Sequence, residues 1–249
     1  PEPKEIAAEW ELIKGLCGNC TPGAALPFGR ITACCYSGGY SSGYGRLKSN
    51  SHGPIGNLWD GNRFRGIAHI QNGGTGYIDM FYNYAVVSPF YGELAHSADA
   101  RDFRDERAEP GYYACRDGAS GADCETTVTP RVALHRITFP KAGGRVSIDF
   151  SNDGLYDDGN LSRSPAGAAR LTLLSDGEAL AEVTLHRLTL WFYLKAEGLE
   201  SPLRLWVDDE ESGAGALSLE PGRRFGVAAA CGPQVRLTLG ISPKSAETA

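Results

Sequence analysis

Short runs rich in β-branched and aromatic residues recur along this chain at intervals of roughly ten residues, each closed by a Gly, Asp or Pro turn. No other feature limits the possible folds as strongly. Such runs are too short for helices of ordinary length, and their apolar/polar alternation leaves each strand one face to bury. The runs fall at residues 26–35, 77–87, 111–116, 122–129, 131–139, 145–150, 169–174, 178–185, 188–196, 203–207, 224–230 and 235–241. Pro89 is expected to close the second of these, and Ser151-Asn152-Asp153-Gly154 to close the sixth. The acid- and arginine-rich stretch 93–110 reads as a solvated connection or short helix, and residues 5–14 as a short helix or an edge strand. The pattern predicts an all-β chain: one large antiparallel β-sandwich over residues 1–249, with at most one or two short helices.

The 249 residues suffice for one large core, and no segment approaches the ~18 uninterrupted apolar residues of a membrane helix. A net charge of -6, with Lys and Arg scattered among acids, supplies no basic field for nucleic acid. Residues 1–5 show no export signal. The polar segment 242–249 reads equally as the start of an interdomain linker or as a natural terminus. Seven cysteines are present: Cys17, Cys20, Cys34, Cys35, Cys115, Cys124 and Cys231. Cys17-x-x-Cys20 with the adjacent Cys34-Cys35 is a poor match to paired zinc knuckles. Cys115 and Cys124 flank a turn and could oppose each other across a hairpin, where a disulfide is geometrically possible. Reduced, buried thiols are the preferred expectation.

Between two apolar runs lies a polar, glycine-punctuated loop, Arg63 to Asp79. Gly66, Gly73, Gly74 and Gly76 permit positive φ and close approach of a ligand to the backbone, while His69, Gln71, Asn72, Thr75 and Asp79 offer donors and acceptors. Tyr36, Tyr40, Tyr44 and Trp59, just upstream, supply rings on which a sugar can stack. The plainer alternatives are a long hairpin loop and core aromatics. His135 sits in a strand pattern and reads as a hydrogen-bonded core or edge residue. The acidic groups at 105–106, 157–158 and 208–211 read as solvated turns, so no catalytic carboxylate pair stands out. Serine-hydrolase, phosphate-loop and H-E-x-x-H zinc motifs are absent.

Four segments, in order, are similar to those of the N-terminal domain of glycoside hydrolase family 92, the calcium-dependent inverting exo-α-mannosidases. Residues 22–29 (PGAALPFG) resemble P-G-A-x-x-P-F-G, and residues 66–76 (GIAHIQNGGTG) resemble G-F-S-H-T-H-x-S-G-T-G. Residues 106–113 (ERAEPGYY) resemble E-x-A-x-P-G-Y-Y, and residues 131–140 (RVALHRITFP) resemble R-x-G-x-H-R-Y-T-F-P. The resemblance implies a β-supersandwich of the galactose-mutarotase-like kind, packed against a following (α/α)6-barrel with a mannose site at the junction. It also implies that the general acid, the general base and the calcium ligands lie in that barrel, with no catalytic residue, metal or cofactor in this chain. His69, Gln71, Asn72, Thr75, Gly76, Asp79, Tyr40 and Tyr44 would then line the substrate side, and the partners would be an α-mannoside glycan and the chain's own barrel. Two departures are visible: Gln71 stands where the family has a second histidine, and Tyr40 stands near an expected tryptophan. Residues 48–62 look like an insertion. An isolated chain of this kind would be inactive. The alternatives are a free-standing carbohydrate-binding module and a scaffold whose loop only docks a partner domain. An extracytoplasmic location, periplasmic or secreted, is preferred, with a cytoplasmic one compatible with the cysteines.

Overall fold

The computed structural model describes residues 23–26, 29, 31–35, 66–70, 84–99, 101–151, 166–185 and 188–249. Among them are sixteen strands, all paired antiparallel. In chain order they are β1 (Ala24–Ala25), β2 (Thr32–Cys35), β3 (Ile67–Ile70), β4 (Tyr84–Tyr91), β5 (Phe103–Glu109), β6 (Tyr112–Asp117), β7 (Asp123–Val128) and β8 (Val132–Thr138). There follow β9 (Gly144–Asp149), β10 (Ala169–Ser175), β11 (Glu178–Thr184), β12 (Thr189–Leu199), β13 (Arg204–Val207), β14 (Glu210–Ser212), β15 (Ala216–Leu219) and β16 (Phe225–Ser242). Two short 3-10 helices, Leu94–Ala98 and Ala246–Thr248, accompany them. No described helix is long and apolar enough to cross a membrane.

Period-two patterning becomes sidedness. In β8, Ala133, His135 and Ile137 are buried while Leu134 and Arg136 face out; in β11, Ala179, Ala181 and Val183 turn inward. Two sheets result. The first runs β1-β2-β3-β4-β9-β16-β13-β14 and the second β5-β6-β7-β8-β16-β12-β11-β10-β15. β16 belongs to both, pairing β9 and β13 over residues 225–230 and β8 and β12 mainly over residues 234–242. The changeover falls at Gly232-Pro233, where proline has no N–H to give a ladder. One core fills the space between the sheets. Phe192 of the second sheet meets Tyr84 and Phe150 at ring-centroid distances of 6.5 and 5.3 Å.

Four sequence expectations need correction. Pro89 does not end its strand: β4 continues to Tyr91, because the described pairing with β3 stops at Val87 and only the β9 side is laddered beyond it. The charged stretch 93–110 holds a 3-10 helix but also the edge strand β5, whose exposed charges are how an edge avoids pairing with strangers. Residues 224–230 and 235–241 are one bent strand, and β14 and β15 are strands the residues did not signal. Asp208 and Asp209, both at positive φ, form the two-residue turn of the β13–β14 hairpin, held by Arg223 and Arg224. The expected element at 5–14 lies outside the described residues.

Arg101, 3% exposed, ties the first 3-10 helix to β4. Its guanidinium donates to the carbonyls of Pro89 (2.6 Å), His96 (2.8 Å), Ser97 (3.0 Å) and Asp99 (3.0 Å) and lies 3.7 Å from the wholly buried Asp117 carboxylate. Asp117 Oδ2 accepts from Ser120, and Oδ1 has no hydrogen-bond partner among the described residues.

Candidate functional site

The segment read as a loop from Arg63 to Asp79 is not all loop: its residues 67–70 form β3, paired on both sides, and residues 71–79 lie outside the described residues, so the groups that fix β3 fix the point from which residue 71 starts. Opposite β3, β4 carries a bulge: Ile67 pairs with Val87 and His69 with Tyr84, which leaves Ala85 and Val86 against Ala68 alone. Ala85 takes φ +50°, and its carbonyl lies 2.9 Å from His69 Nδ1, with that of Tyr84 at 3.3 Å. On the other side of the ring, His69 Nε2 stands 2.8 Å from His135 Nε2, and His135 Nδ1 stands 2.9 Å from Thr126 Oγ1. The two imidazoles meet edge to face, with interplanar angle 88°. All three side chains are 3% exposed or less.

Only one arrangement of protons satisfies this chain of groups. Carbonyl oxygens accept only, so His69 Nδ1 carries the hydrogen and its Nε2 accepts from His135 Nε2–H. His135 Nδ1 then accepts from the Thr126 hydroxyl. A proton added to His69 Nε2 would set two N–H groups against each other. Burial accordingly lowers the His69 pKa to about 4, outweighing the two carbonyls that favour protonation. Burial, then the facing His69, holds His135 well below the ordinary imidazole range. At neutral pH the pair is uncharged, and it bolts β3 to β8.

Beside it the two sheets are joined by softer groups. Tyr113 Oη lies 2.6 Å from Glu106 Oε1 and 2.8 Å from Cys35 Sγ, and Cys35 Sγ lies 3.7 Å from Cys115 Sγ. Cys115 and Cys124 are direct register partners on β6 and β7, as the hairpin expectation had them, and both are buried thiols. Cys34, Cys35 and Cys231 are likewise buried thiols, while Cys17 and Cys20 lie outside the described residues. Burial raises the pKa of Cys35, Cys115 and Cys231, the last to about 12. Among the described residues no three His, Cys, Asp or Glu side chains converge to hold a metal.

Of the predicted substrate residues, His69 is described and stands in the core with both ring nitrogens taken by protein groups. Gln71, Asn72, Thr75, Gly76, Asp79, Tyr40 and Tyr44 lie outside the described residues. His135 is a hydrogen-bonded core residue, one of the two expectations for it; that its partner is His69, 66 residues away, had no signal beyond inward parity in both strands. The motif segments meet here: β1 and β2 pack on β7, β3 reaches β8 through the histidines, and β6 touches β2 through Tyr113.

A model of the glycosyl hydrolase family 92 N-terminal domain matches residues 7–216. Among solved structures, the chain is similar to the family GH92 alpha-mannosidase BT3965 from Bacteroides thetaiotaomicron, with TM-score 0.70 and 18% identity over 92% of this chain and 31% of that one. It is also similar to the family GH92 inverting mannosidase BT2199 from Bacteroides thetaiotaomicron VPI-5482, with TM-score 0.64 and 15% identity over 92% and 29%. A third, the GH92 family glycosyl hydrolase ccman5, gives TM-score 0.65 and 19% identity over 92% and 31%. At these identities the likeness is one of fold. The chain spans under a third of the length of these structures. No match was found among curated proteins.

Proposed function

From the premise that this chain belongs to the glycosyl hydrolase family 92 N-terminal domain family, we propose that it is the substrate-contacting part of a glycoside hydrolase that removes terminal α-linked mannose by inversion, inactive by itself. The observation that carries this reading is one of proportion: 92% of the chain superposes on 31% of an α-mannosidase. The remaining length of such an enzyme would hold the general acid, the general base and the calcium, in an (α/α)6-barrel that this chain's loop faces. In this reading the described histidine pair positions the loop, and Gln71, Asn72, Thr75, Gly76 and Asp79, with Tyr40 and Tyr44, contact the sugar. The buried His69 ring then serves the site by fixing the backbone from which Gln71 departs. An extracytoplasmic location accompanies the proposal, since terminal mannosides are outward-facing ends of glycans.

The test uses the purified chain in two assays. Release of mannose from mannobiose with calcium present should be undetectable, and activity from the chain alone would overturn the proposal. Titration with mannose, followed by loop resonances, should give weak millimolar binding that Gln71→Ala and Asn72→Ala reduce. No shift at any attainable sugar concentration would reduce the domain to a scaffold for its neighbour.

A further inference from the structure

We propose that Cys35 and Cys115 are a disulfide-forming pair that ties the two sheets together when the chain meets a thiol–disulfide oxidant. Their sulfurs are 3.7 Å apart, on β2 of one sheet and β6 of the other, 80 positions apart in sequence. No second ligand or cofactor is needed to bring them together, because the packing of the sheets already does. Tyr113 Oη touches Cys35 Sγ, and Cys124 stands directly across the ladder from Cys115.

Access comes through β5. Its register slips between Arg104 and Arg107, with Asp105 at φ +53°, and a cleft of about 300 Å³ beside this bulge reaches down to Cys115 and Cys124. The oxidant is therefore a small disulfide, R–S–S–R. Cys115, having lost its proton, attacks one sulfur of it, forming Cys115–S–S–R and releasing R–S⁻. Cys35, having lost its proton, displaces the second R–S⁻ from Cys115. Both protein thiols are oxidised, the small disulfide is reduced to two thiols, and the two protons end on those thiols. Burial slows both steps once the sheets are sealed, so the bond closes most readily as β2 docks on β6, when the sulfurs have met and the oxidant can still reach Cys115.

Three features favour this pair over Cys115 with Cys124. A cross-strand bond between facing ladder residues closes only a short hairpin, whereas the bond between sheets closes 80 residues. Cys115 also hydrogen-bonds Cys124 along the ladder, whereas its 3.7 Å approach to Cys35 crosses from one sheet to the other. Cys124 Sγ already donates to the Ala122 carbonyl at 3.8 Å.

The experiment is to refold the full chain with oxidised and reduced glutathione, block remaining thiols, and map the cysteine-containing peptides. A peptide joining Cys35 to Cys115 is expected, absent from C35S and C115S and kept in C124S. The oxidised chain should melt on the order of 10 °C above the reduced one, the gain expected for a loop of this length in a domain of this size. Mapping on the wild-type chain decides the matter even where a serine variant fails to fold. A bond from Cys115 to Cys124 or to Cys34, or thiols that all remain free after oxidative refolding, would overturn the proposal.

Discussion

Acidification should destabilise this domain well above the pH at which carboxylates protonate, because two neutral imidazoles are locked in its core. In the folded chain His69 titrates at about 4 against 6.5 when exposed. Between those values the unfolded chain binds more protons than the folded one, so stability falls as pH falls. The loss begins below the unfolded pKa and saturates near the folded one. From His69 alone it amounts to about 2 kcal/mol at about pH 5, relative to about pH 7.5, and about 3 kcal/mol at about pH 4. His135, also held low by burial and by the facing ring, adds to it in the same direction. Carboxylates interfere little in this window. Glu125, held down first by Arg136, Glu197, held down first by Lys195, and Asp208, held down first by the Arg224 backbone amide, act in the same sense once pH falls into the ordinary carboxylate range, so the comparison at about pH 5 is the one that isolates the histidines. The assay is urea unfolding followed by tryptophan fluorescence at about pH 7.5 and pH 5 with a common slope, for the wild type and for H69Q/H135Q. The wild type should lose about 2 kcal/mol or more, and the double variant should lose markedly less, even if it starts lower. Equal wild-type stability at the two pH values, or an identical pH dependence in the double variant, would refute the reasoning.

Other perturbations follow from the packing. Arg101→Met leaves the Asp117 carboxylate buried without its guanidinium and should cost about 3–5 kcal/mol in the same urea assay. Gly66→Ala places a Cβ 2.6 Å from the Val87 carbonyl oxygen at φ +144°, and should destabilise by on the order of 2 kcal/mol or more. Gly226→Ala sets a Cβ 2.0 Å from the Ile148 carbonyl oxygen, so the β9–β16 ladder must open; hydrogen exchange of the β9 amides should accelerate.

The sandwich was legible because period-two alternation survives in strands of its core such as β11, where Ala179, Ala181 and Val183 turn inward between Glu178, Glu182 and Thr184; β8 alternates in burial too, but with His135 inside and Leu134 outside. Where alternation fails, so did the reading. β5 exposes both faces of most of its length, β15 is half-buried, and β14 is three residues of a hairpin arm; none of them carries a buried stripe. Pro89 looked like a stop because a proline usually is one, and the fact that freed it, the end of β3 pairing at Val87, belongs to another strand. Within the candidate site, the chemistry of His69 was visible but its neighbour was not. A histidine at an inward strand position reads the same whether it meets solvent, sugar or a second imidazole, and only tertiary packing places His135 against it.

The strand shared by both sheets sets a schedule for the chain's birth. β8, β9, β12 and β13 each use β16 as one of their two neighbours, and β16 begins only at Phe225. Until the ribosome has released residues 225–242, those four strands each present a bare edge to the cytosol or to a translocation channel. Hairpins such as β6–β7–β8 and β10–β11–β12 can form as they emerge, yet neither sheet is continuous before the last strand arrives. A nascent chain stalled short of Phe225 is therefore a client for chaperones, and a few more residues of synthesis convert it into a closed sandwich.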